Sequence, residues 1–197
     1  MTTAWNDFWF KDASPKHLGI IRCLFFAMML FIHIRIPFEI FATIPHELAN
    51  MLPLHGLMGF KVFSGQMILL LKYLWYASLF MSAIGFFTRT FALISGALGF
   101  YLISLLFIYT QPTHAMALPL IMMFIFSCSR CGDGFSVDAY ITKQAPPSSG
   151  NYYWPIKVCW ALWGFMFFAA AISKLRHSGI EWITYPALLE YSRLYAI

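Results

Sequence analysis

Residues 160–182 read WALWGFMFFAAAISKLRHSGIEW. The run is apolar for most of its length and then breaks into Ser173, Lys174, Leu175 and Arg176. Trp160, Trp163, Phe167, Ala171 and Lys174 recur at three- and four-residue steps, so the amine continues one helical face instead of leaving it. Ala169, Ala170 and Ala171 are small enough to admit a second helix just before the charge. The stretch is therefore read as a close-packed membrane helix. The amine at its mouth is either a snorkelling anchor or a working base.

Working outward, composition makes the same assignment for the whole chain. Apolar residues form 60% of the sequence and charged ones 11%, against about 25% charged in a soluble domain. A mean hydropathy of +0.70 leaves too little polar surface to cover a water-soluble globule. The net charge of +5 is spread over termini and loops with no basic run, which argues against nucleic acid as a partner. Lys11, Asp12 and Lys16 precede an apolar run as in a signal peptide. No small-residue cleavage site follows, and Arg35 and Glu39 stand where one belongs. Residues 5–10, WNDFWF, are read as an aromatic segment lying at the headgroups.

Five spans are expected. The first covers Leu18–Ile40, clean apart from Arg22 in its first half and carrying His33, Arg35 and Glu39 in its second. Pro37 and Pro45 then break the pattern, and residues 45–56 read as a loop. The second span begins near Gln66, with Lys72 inside it. Phe91–Tyr109 is the third, its Ser95, Gly96, Gly99 and Ser104 typical of packed helices. Ala115–Cys128 is a short fourth and Trp154–Lys174 the fifth. Residues 129–151 form the longest polar stretch, with PPSSGN its most linker-like part, and residues 181–197 read as interfacial or re-entrant. The fold expected is an all-α integral membrane bundle of about five transmembrane helices with an interfacial N-terminal segment, a single domain over 1–197.

The positive-inside rule puts the N-terminus in the cytoplasm, with Lys11, Lys16, Arg89, Arg130 and Lys143 on that side. His33, Arg35, Glu39, Lys72, His114 and Lys174 then gather in the outer half of the membrane. Ionisable groups in a bilayer cost about 2.5–3.5 kcal/mol each on insertion scales, so they rarely persist without a partner or a task. Their clustering is read as an outward-opening polar cavity; the alternative is that Lys72 and Arg35 snorkel and His114 caps a helix. Cys128 and Cys131 form a C-x-x-C, but one pair cannot complete a four-ligand zinc site, so no metal is expected.

Four segments, in order, carry a family resemblance. DASPKHLGIIRCLFF (residues 12–26, with Arg22), TQPTHAMALPL (110–120, with His114), CGDGFSVDAY (131–140, with Ser136 and Asp138) and ISKLRHSGIEW (172–182, with Lys174) resemble the membrane domain of vitamin K-dependent gamma-carboxylase and its bacterial HTTM relatives. IGFFTRTF, with Arg89, fits the turn between the second and third spans. The resemblance implies a lysine amine, here Lys174, that deprotonates a reduced quinone, with His114 as neighbouring acid or hydrogen-bond partner. Arg35, His33 and Lys72 then line the substrate's side of the cavity. It also implies a vitamin K-like reduced quinone as the redox partner, membrane lipid around the bundle, and a bacterial inner membrane. The carboxylase continues into further spans and a large domain that handles a glutamate-rich peptide, whereas the sequence here ends at Ile197. Quinol oxidation or epoxidation is accordingly expected in place of carboxylation. The alternative is a non-catalytic membrane subunit or scaffold like the small DoxX-type four-helix proteins.

Overall fold

A computed structural model describes residues 2–48, 57, 59–110, 114–143 and 146–179; the side chains of Thr2, Thr3, His46, His114, Ala115, His177 and Ser178 lie outside that description. A short helix, α1 (Thr2–Trp9), leads into α2 (Pro15–His33). Ser14 caps α2 by accepting from the Lys16 amide, and Pro15 supplies the fixed φ that suits a first helical position. α3 (Gly65–Ile84), α4 (Thr88–Tyr109) and the shorter α5 (His114–Cys128) follow, then α6 (Val137–Thr142) and α7 (Trp154–Ser178). Four of these helices are long and apolar enough to cross a membrane, and α5 adds a shorter apolar one. The chain is an all-α integral membrane protein.

One boundary departs from expectation. α2 stops at His33 and not at Ile40, because Ile36 precedes Pro37 and the proline ring disfavours the helical region for the residue before it. The chain turns and re-forms as a 3-10 segment, Phe38–Thr43. Glu39 is thereby carried off the helix and across the end of the bundle.

By its internal contacts the chain divides into two compact units, Met1–Cys159 and Trp160–Ile197. In the first, α3 packs on α2 and on α4, and α4 packs on α5. α4 is central, with half of its most apolar window buried against 33% for α2. Small residues permit the close approach. A Cβ on Gly99 would sit 2.9 Å from the Trp75 indole nitrogen, and one on Gly96 would sit 3.0 Å from the Phe124 ring. Leu18, Phe26, Trp75, Leu79, Leu102, Leu105 and Met123 fill the interior between these helices. In the second unit, the described part of α7 presents Trp160, Phe165, Phe167, Phe168 and Ile172 on an exposed apolar surface.

Candidate functional site

Polar groups collect at both ends of α2. Arg22 and His33 are eleven residues apart, so a rise of about 1.5 Å per residue separates them by roughly 16 Å.

At the Arg22 end the guanidinium is fully buried. It donates to the carbonyls of Cys131 at 2.8 Å and Phe135 at 2.7 Å, and more weakly to Ala83 at 3.4 Å. Gly85 closes α3 in the left-handed conformation (φ +76°), and a side chain there would meet Arg22 and Ser136. Gly19 packs directly on the Gly134 carbonyl. Asp138 completes the arrangement from a distance: its carboxylate accepts from the Phe87 and Thr88 amides at 2.8 Å and from the Thr88 hydroxyl at 2.7 Å. The first amides of α4 therefore find their acceptor on another element. Ser136 meanwhile caps α6 by accepting from the Ala139 amide at 2.9 Å. Cys131 is buried, donates to the Phe126 carbonyl at 3.2 Å, and has its thiol pushed up by desolvation; Cys128 is exposed and both are free thiols.

At the His33 end the groups differ in kind. Lys72 is 8% exposed, and its amine donates to both oxygens of Glu39, at 2.9 and 3.2 Å. Burial alone would raise the Glu39 carboxyl, but the hydrogen bonds and charge of Lys72 outweigh it and hold the group below its ordinary value. Lys72 is therefore held in an ion pair. The His33 ring is 3% exposed, lies 2.9 Å through Nδ1 from the Met29 carbonyl, and meets Trp75 edge-to-face at 5.2 Å. Tyr76 donates to the His33 carbonyl at 2.7 Å. Trp75 donates to the Ser95 carbonyl at 2.9 Å, while Ser78, Ser82 and Ser95 form a buried hydroxyl cluster, Ser95 donating to Ser78 at 2.9 Å.

Of the residues singled out from the sequence, His33, Lys72 and Glu39 share this end of the first unit. Arg35 sits just beyond α2 and is exposed. His114 begins α5, but its side chain lies outside the described residues. Lys174 belongs to the second unit, exposed near the C-terminal end of α7. Among the described residues no cluster of three or more His, Cys, Asp or Glu could hold a metal ion. Trp75, Tyr76, Ser78 and Ser82 escaped the sequence reading, and Ser95 was read only as a packing residue, although Lys72 and Tyr76, and Ser78 and Ser82, stand four apart and so share helical faces.

The fold and these two polar ends define an α-helical membrane bundle with ionisable groups built into its interior. Comparison of the chain with known protein families, with curated proteins and with solved structures returns no match.

Proposed function

We propose that this protein is a membrane oxidoreductase acting on a lipid-soluble, quinol-like substrate, in the manner that the gamma-carboxylase resemblance implies. The observation that carries the reading is the Lys72–Glu39 pair at 2.9 Å, on the same helix α3 whose Trp75 meets the buried His33 imidazole. Such groups are costly in hydrocarbon and rarely persist without a partner or a task. Lys174 is the base of the proposal. Because Lys174 is exposed, bound substrate has to supply the desolvation that makes an amine a competent base. The net reaction takes one quinol and one oxygen molecule to one quinone epoxide and one water, so atoms and electrons balance without a further reductant. The site faces outward from a bacterial inner membrane, with the N-terminus cytoplasmic.

The test is turnover of a naphthoquinol under oxygen by the purified protein in lipid nanodiscs, with the epoxide measured by chromatography. Lys174→Ala is expected to abolish it while leaving the thermal unfolding profile unchanged; undiminished turnover refutes the base. The exposure of Lys174 favours a second reading, a non-catalytic membrane subunit, which predicts no turnover by the wild-type chain either.

A further inference from the structure

His33 carries one unmet demand. The atom 2.9 Å from its Nδ1 is a carbonyl oxygen, that of Met29, which can only accept. Nδ1 therefore bears the proton, and in the neutral ring Nε2 is left as a bare lone pair. That nitrogen is buried and has no hydrogen-bond partner among the described residues. The nearby donors of α3 are directed elsewhere. Lys72 donates to Glu39, Trp75 to the Ser95 carbonyl, Tyr76 to the His33 carbonyl and Ser78 to the Trp75 carbonyl. An acceptor fixed in this way is met by a neutral O–H donor, that of a ligand or of a water.

We propose that His33 is the specificity residue by which the bundle tells the reduced form of its ring substrate from the oxidised form. The inference rests on the quinol reading above. A quinol offers hydroxyl donors, one of which satisfies Nε2. A quinone offers only carbonyl oxygens and would set lone pair against lone pair. Leaving a buried acceptor unpaired costs enough to separate the two affinities by about ten- to a hundredfold. Entry runs past the 3-10 segment Phe38–Thr43. Its Phe38 is fully buried against the Trp75 that His33 also touches, at 5.9 Å between ring centroids, and Phe41 stacks on Tyr109 at 5.6 Å. Glu39 fastens the segment to Lys72, so one ion pair and two ring contacts have to yield for the ring to be reached.

The experiment is equilibrium binding of menadiol and of menadione to the protein in nanodiscs, without oxygen so that no turnover intervenes. Wild type is expected to hold menadiol at least tenfold more tightly. His33→Leu, which removes the acceptor, should bring the ratio near one, and His33→Gln, which keeps an acceptor oxygen, should restore part of it. A merely structural histidine would weaken both ligands together and leave their ratio unchanged. Equal wild-type affinities, or a preference that survives His33→Leu, overturn the role of His33 and leave the quinol reading standing. Binding of neither ligand by wild type overturns both.

Discussion

Replacing Arg22 with leucine sets two effects against each other. Removing a fully buried guanidinium relieves a desolvation cost, and exchanging buried ionic groups for apolar ones is often neutral or stabilising when both partners go. Here only one side goes. The carbonyls of Cys131 and Phe135, at 2.8 and 2.7 Å, remain behind. Cys131 is fully buried, so its carbonyl loses its hydrogen bond to a charged donor and is left unpaired, together about 3 kcal/mol. Phe135 is 60% exposed, and water can take over its carbonyl, which limits that loss to about 1 kcal/mol. The Ala83 contact at 3.4 Å adds little. After relief of desolvation a net loss of about 3 kcal/mol remains, a drop in midpoint of roughly 6–12 °C for a chain of this size. Arg22→Lys should fall between, because a single ammonium is a point donor and cannot span the positions of the planar fork. Thermal unfolding in detergent, followed by tryptophan fluorescence, measures both. A leucine variant within about 1 kcal/mol of wild type would show that the buried charge costs as much as its carbonyls return, and would refute the reasoning.

Two further outcomes follow from the same contacts. Gly19→Ala should destabilise by about 1–3 kcal/mol, since its Cβ collides with the Gly134 backbone, whereas Gly164→Ala, with nothing within 4 Å, should be neutral or gain up to about 1 kcal/mol from helix propensity; the same unfolding assay reads the contrast. Glu39, held low by Lys72, contributes stability that is present above the ordinary carboxylate range and is lost as pH falls through its lowered folded value. Glu39→Gln should therefore flatten the acid limb of a midpoint-against-pH profile, and an unchanged limb would remove this pair from the account of acid sensitivity.

Much of the bundle was legible because hydrocarbon imposes a simple rule on composition and length. The second to fifth spans begin and end within a few residues of their expected positions. The first did not, since the apolar Ile34, Ile36, Phe38 and Ile40 after His33 concealed what Pro37 does to its predecessor. At the His33 end, the residue types were legible and their pairing was not. Lys72 and Glu39 are thirty-three positions apart, and their meeting depends on the turn that Pro37 forces. The Arg22 end was visible only as fragments of a family pattern. That Arg22, Gly85, Gly134 and Asp138 interlock is a matter of packing between four segments, which no local periodicity encodes.

The Arg22 and His33 levels of α2 each keep a buried nitrogen with no hydrogen-bond partner among the described residues, Nε of Arg22 and Nε2 of His33, and the two differ in kind. The guanidinium spreads its charge over three nitrogens, and two of them already donate to carbonyls. One idle N–H there is the residue of a group whose main demand is met. Around it Gly19, Gly85 and Gly134 are packed so tightly that not even a methyl group fits, so no ligand reaches the guanidinium itself. Imidazole has one acceptor and no second chance. Its covering segment is a short 3-10 turn held by an ion pair whose carboxylate side is 35% exposed, the kind of element that can move without unpacking the bundle. A locked end and an openable end on one helix give a scaffold in which Arg22 fixes the geometry and His33 waits for a donor.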